Sequence, residues 1–160
     1  MCKNNIKKIF VDFYWKAKEI RQIALNCGFG AGTLPSGYTE QLCRELYDLD
    51  PFNKNNHSGK ELKAKDFDAE KGSDLIEIKF NNLITNSVNV KLEKEFDYLY
   101  HTFIDFDNDT YTVRVFKGDD VRNKFGNVGE ISTPINNFSK NLKPKIDKYK
   151  FEKDSLVKIN

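Results

Sequence analysis

The stretch "DFDAEKGSDLIEIKF", residues 66–80, constrains this chain most. Two runs of alternating character flank Lys-Gly-Ser, which is turn chemistry, and the pattern predicts a β-hairpin. Side chains two apart on a strand share a face, so Glu77 and Lys79 project together with Leu75, while Ile76 and Ile78 go to the other side. Asp66 and Asp68 likewise share a face on the preceding strand. In a hairpin closed around Lys71 and Gly72, a four-residue loop sets Asp68 opposite Glu77 and a two-residue loop sets Asp66 there. Either register juxtaposes two carboxylates. Asp74, three residues from Glu77, points to the opposite face and is expected in the turn or in solvent.

Two facing carboxylates repel when ionised unless a cation lies between them, and Mg²⁺ favours hard oxygen ligands completed by water and phosphate. Lys79, on the same face, has the charge to hold a phosphate or a metal-associated water. A solvent-facing strand carrying cross-strand charge pairs explains the same spacing, at a few tenths of a kcal/mol per pair. Spacing alone leaves both explanations open.

The remaining chain reads as one domain spanning residues 1–160. Ile6, Ile9, Phe10, Phe13, Ala17, Ile20 and Ala24 draw a stripe down a helix from about 5 to 26. The glycines of "CGFGAGTLPSG" follow a helix rather than a strand, so they read as an interhelical loop instead of a phosphate cradle. Ser36 is the expected cap of a second helix over 37–47, with Glu40 one turn before Arg44 and suited to a surface ion pair. After the polar loop "DPFNKNNHSGKE" and the hairpin, "ITNSVNV" suggests a strand and "KLEKEFDYLY" a short helix. "HTFIDFDNDTYTVRVF" suggests a second hairpin turning at "DND", and Thr133-Pro134 a helix reaching Leu142. The order implies an α/β (α+β) fold, a mixed β-sheet flanked by helices.

Composition narrows the function classes. The net charge of +2 does not announce a nucleic-acid binder, but residues 139–160 hold seven lysines and the first helix is also basic. Cys2, Cys27 and Cys43 form no paired spacing and have only His57 and His101 for company, which disfavours structural zinc and a thiol–histidine pair and suits a reducing cytoplasm. No run is long and apolar enough for a membrane span, and the start lacks a signal-peptide core. Asp105, Asp107 and Asp109 have calcium-loop spacing, but Thr110 and Phe116 stand where that loop needs glycine and glutamate.

"FDAE" followed by "IEIK" resembles the D-x(n)-E-x-K core of the PD-(D/E)xK nuclease superfamily, and "YTEQL" is similar to its first helix with an inward acid. "YTEQLCREL", "DFDAEKGSDLIEIK" and "FDYLYHTFID" occur in the order found in small single-domain type II restriction endonucleases. The similarity covers about residues 36–142. The proline of the superfamily name is replaced by Phe67. The resemblance implies a restriction-endonuclease-like fold, Mg²⁺ held by Asp68, Glu77 and the Ile78 carbonyl, Lys79 orienting or activating water, and Glu40 assisting through a second metal or a water. Asp66 is the alternative to Asp68.

The implied activity is Mg²⁺-dependent hydrolysis of phosphodiesters in double-stranded DNA at a specific site, by a homodimer if the site is palindromic. Arg114, Arg122, Asn123 and Asn127 are candidate DNA contacts beside the basic ends. A nuclease of repair, junction or phage DNA processing and a non-catalytic DNA-binding module are the alternatives.

Overall fold

The computed structural model describes residues 3–32, 34–59, 62, 66–81 and 86–160. Its centre is a six-stranded mixed sheet of β1 (Ala69–Lys71), β2 (Asp74–Asn81), β4 (Tyr98–Asp105), β5 (Thr110–Lys117), β7 (Lys145–Phe151) and β8 (Leu156–Lys158), in the order β1-β2-β4-β5-β7-β8. The β2–β4 pair is parallel and the other pairs are antiparallel. β3 (Ser87–Lys91) and β6 (Glu130–Pro134) form a separate antiparallel ribbon. With four helices, this is a mixed α+β architecture.

Strand alternation divides the core in two. Ile76 and Ile78 of β2, Tyr100 and Ile104 of β4, and Tyr111 and Val113 of β5 meet α1 (Lys3–Asn26) and α2 (Ser36–Tyr47) on one face. Leu75, Leu99 and Phe116 meet the β3–β6 ribbon, α3 (Gly118–Phe125) and α4 (Ile135–Ser139) on the other, through Val88, Val90, Val121, Ile135 and Phe138. We call these the helix face and the ribbon face.

Several elements depart from the sequence expectation. The stripe of α1 is rotated: Phe10, Val11 and Tyr14 are buried, whereas Ile9, Phe13 and Ile20 are 54%, 44% and 65% exposed. Tyr14 decides the rotation, because its ring stacks on Phe151 and its hydroxyl donates to Asp109 at 2.8 Å. The side chain of Ile6 lies outside the described residues. α2 begins at Ser36 with Pro35 as its cap residue, so Ser36 is the first helical residue instead of the cap. "KLEKEFDYLY" is not a helix: a 3-10 turn at Leu92–Lys94 ends on Glu95 in the left-handed region, and β4 follows. Leu92, Phe96 and Leu99 still enter one core, carried there by a turn and a strand.

The lysine-rich end forms β7 and β8, whose alternation buries Asp147, Tyr149 and Phe151 and leaves most lysines outward. The polar stretch after β5 forms α3, anchored by the buried Val121 and, at its last residue, by Phe125 stacked on Phe138. α4 ends at Ser139, short of Leu142, after Pro134 as its cap residue. Asp105 organises the β4–β5 turn by accepting from the N–H groups of Asp107 and Asn108, at 2.9 and 3.1 Å. No helix among the described residues is long and apolar enough to cross a membrane.

Gly118 joins β5 to α3 where the backbones nearly touch. Its N–H donates to the Asp97 carbonyl at 2.7 Å, and a Cβ there would lie 2.0 Å from the Phe96 carbonyl oxygen. Gly118→Ala is therefore expected to destabilise the protein by about 1–3 kcal/mol, as overpacking does. Gly30→Ala, with nothing within 4 Å of its added carbon, is expected to stay within about 0.5 kcal/mol of the parent. Urea unfolding midpoints of the two variants check both.

Candidate functional site

The hairpin turn falls at Gly72 and Ser73, one residue later than a closure around Lys71 and Gly72. Gly72 has φ +61°, a conformation that glycine adopts without steric cost. The register pairs Lys71 with Asp74, Glu70 with Leu75 and Ala69 with Ile76, so its continuation brings Asp68 to the level of Glu77. Asp68 leaves the ladder at that point. Its N–H still donates to the Ile76 carbonyl at 3.1 Å, and its Oδ2 accepts from the Ile78 N–H at 2.7 Å. The chain bend thus turns the carboxylate towards β2. Asp66 is exposed, and it is Asp68 whose carboxylate takes the Ile78 N–H. Asp74 acts on Tyr100, on the helix face, as alternation requires.

Glu77 sits on the ribbon face with its side chain 3% exposed. Its Oε1 is 2.6 Å from Lys79 Nζ and its Oε2 is 2.5 Å from Lys94 Nζ, and these ammonium groups retain 31% and 23% of their side-chain exposure. A buried carboxylate between two partly open cations is compensated internally and reachable from outside through those cations. Lys94 was not among the expected site residues. The signal for it was the Leu92, Phe96, Leu99 spacing: once these pack on Leu75, the turn that holds Lys94 lies over β2.

Glu40 enters from α2. Its carboxyl is raised above the usual carboxylate range, first by burial and then by the charge of Asp68, with Arg44 opposing and Glu77 adding to the rise. Asp68 is raised by burial and by Glu77, against the Ile78 N–H, Lys79 and Lys94. The expected Glu40–Arg44 pair forms as well, at 3.4 Å, and Arg44 also reaches the Asp68 carbonyl at 3.4 Å. Glu40 therefore serves both as a helix ion-pair partner and as a third acid facing the hairpin. Three chain segments bring Glu40, Asp68, Glu77, Lys79 and Lys94 into one electrostatic cluster.

Among the described residues, no group of three or more His, Cys, Asp or Glu side chains has the closeness of a finished metal cage. The donor chemistry nevertheless suits a hard cation that binds through one or two carboxylates and keeps its waters. Burial raises the carboxyls of Asp68 and Glu40 most, and a neighbouring acid adds to each rise, so a cation bound beside them would favour their charged forms.

The candidate DNA contacts have distinct settings. Arg114 lies on β5 at the level of His101, half-buried. Arg122 is committed within the protein, donating to the Phe96 carbonyl at 2.8 Å and pairing with Asp119 at 2.7 Å. Asn123 on α3 and Asn127 in the following loop are exposed. A buried pair, His57 with Glu70 at 3.0 Å, ties the 3-10 turn Lys54–His57 to β1. Burial of Glu70 is outweighed by hydrogen bonds from the Asn53 N–H, Asn56 and His57, which hold it below the usual range, so it is a structural carboxylate.

Comparison of the chain with protein-family models, with curated proteins and with solved structures gives no match.

A carboxyl whose pKa is raised by folding opposes folding once it ionises; the penalty is complete above the raised pKa and disappears as pH falls towards the ordinary value. Asp68→Asn keeps an oxygen for the Ile78 N–H and removes the charge. It is expected to raise Tm at pH 8 by about 2–4 °C, the shift that about 1 kcal/mol produces in a chain of this size. The gain should vanish near pH 4. Calorimetry across that range checks the sign.

Proposed function

We propose that this protein is a Mg²⁺-dependent endonuclease of the PD-(D/E)xK type with a restriction-endonuclease-like fold, acting on double-stranded DNA. The observation that carries the reading is the gathering of Glu40, Asp68, Glu77 and Lys79, from a helix and both arms of a hairpin, into one cluster in which burial, and after it a neighbouring acid, raises the carboxyls of Glu40 and Asp68. A surface decoration of cross-strand charges would leave those acids solvated, whereas Glu77 is buried.

Asp68 and Glu77, with the Ile78 carbonyl beside them, are the residues that would hold Mg²⁺, which when bound lowers the pKa of a water and offsets charge on the phosphate. Lys79 Nζ, 2.6 Å from Glu77 Oε1 and partly open to solvent, would donate to the attacking water or to a phosphate oxygen and orient the in-line approach. Lys94 keeps its contact with Glu77 Oε2 and fixes the carboxylate's orientation. Glu40, with its raised carboxyl, would accept a proton from a water on the α2 side. The basic ends supply sequence-independent attraction to the duplex. Site-specific restriction is the role favoured by the order of the motifs in the chain, and a twofold homodimer would match a palindromic site.

Purified protein incubated with supercoiled plasmid and Mg²⁺ is expected to give discrete linear fragments, lost in EDTA. Lys79→Ala and Glu77→Gln should lower the rate at least about 100-fold, the range for a lost acid–base or charge-stabilising group. Structure-selective nicking would assign the chemistry to repair or junction processing. Intact plasmid under every condition would sink the nuclease reading.

A further inference from the structure

The strand register places a second basic feature beside this cluster. Lys79 on β2 is level with His101 on β4, and His101 is level with Arg114 on β5. All three lie on the ribbon face. Neighbouring strands are about 4.8 Å apart, so the Cα atoms of Lys79 and Arg114 are about 10 Å apart and their long side chains can converge.

Arg114 forms no ion pair or hydrogen bond with any described residue, and its Nη1 is buried without a partner. Arg114 is only half-buried, so while Nη1 is covered the rest of its planar fork is left to match the oxygens of a phosphate. His101 beside it is fully buried. Asn81 Nδ2 donates to the Ser87 carbonyl at 3.0 Å, which turns Asn81 Oδ1 to His101 Nε2 at 2.7 Å. This orientation assigns the imidazole proton to Nε2 and leaves Nδ1 as a bare acceptor, itself buried without a partner. Burial and the neighbouring Arg114 push the His101 pKa down to about 3, so the ring stays neutral and does not compete for an anion. Two side chains at one level of the sheet thus hold complementary unmet groups next to a cluster suited to phosphate chemistry.

We propose that Arg114 is a phosphate-binding residue of this site, positioned by His101, and that it takes a backbone phosphate adjacent to the one handled by Lys79. The duplex as ligand rests on the nuclease reading, but binding tests it without cleavage. A fluorescein-labelled duplex of mixed sequence, followed by anisotropy in EDTA over a NaCl titration, is the probe. Arg114→Gln is expected to weaken binding about tenfold at low salt and to lower the slope of log K against log[salt] by about 1. Arg114→Lys should restore the slope but not the full affinity. His101→Leu should weaken binding only when Arg114 is present, the coupling expected of a positioning residue. Should that buried variant fail to fold, the Arg114 series decides alone.

Unchanged affinity and slope in Arg114→Gln, with plasmid cleavage intact, would overturn the proposal and leave the nuclease reading standing. Weakened binding by the same variant of a protein that never cuts DNA would uphold the phosphate site and remove the chemistry. In a parallel arm, inorganic phosphate that raises the Tm of wild type but not of Arg114→Gln, with duplex binding unaffected, would replace nucleic acid by a free phosphate as the ligand.

Discussion

The ribbon face is organised around the burial of one carboxylate. Glu77 occupies a strand position whose neighbours on the same face are Leu75 and Lys79, and its side chain keeps 3% of its exposure. An ionised carboxylate there is tolerated only with cationic partners and hydrogen bonds. Lys79 comes from the same strand, whereas Lys94 requires the 3-10 turn before β4 to pack over β2. The Glu77–Lys94 contact therefore couples the charge of the site to the parallel β2–β4 pairing and to the apolar cluster of Leu92, Phe96 and Leu99 beneath the turn.

The two faces of the sheet divide the work. The helix face carries the larger aromatic core, in which Tyr14 stacks on Phe151 and Tyr38 donates to the Phe10 carbonyl, and it fixes α2 against β2. That docking presents Glu40 and Arg44 at the end of the hairpin. The ribbon face is apolar at Leu75 of β2 and Leu99 of β4, then becomes polar at the level of Lys79, His101 and Arg114. The candidate site lies where the apolar cover gives way to this polar band. Charged groups there are shielded enough to interact strongly and open enough for Lys79 and Lys94 to meet solvent.

Legibility in the sequence followed the range of the interaction. The 66–80 hairpin, α2 and the β4–β5 hairpin could be read because period, turn residues and apolar spacing are local properties. The rotation of α1 could not, since it depends on Tyr14 meeting Phe151 and Asp109 far along the chain. β7 and β8 were hidden by their lysines, which decorate outward positions of strands whose inward residues, Tyr149 and Phe151, are few. α3 was missed because Val121 is its main anchor among polar neighbours.

By itself the sequence determined that Glu77 and Lys79 share a strand face, that an aspartate faces them across a tight turn, and that Asp74 does not, since alternation leaves no freedom in these matters. Only the tertiary structure decided which aspartate it is, because a one-residue shift of the turn changes the pairing and the bend at Asp68 reaims its carboxylate towards the Ile78 N–H. It also decided that Lys94, Glu40, His101 and Arg114 join the same neighbourhood. Their contacts arise from strand order and helix docking between segments distant in sequence, and local periodicity carries no information about either.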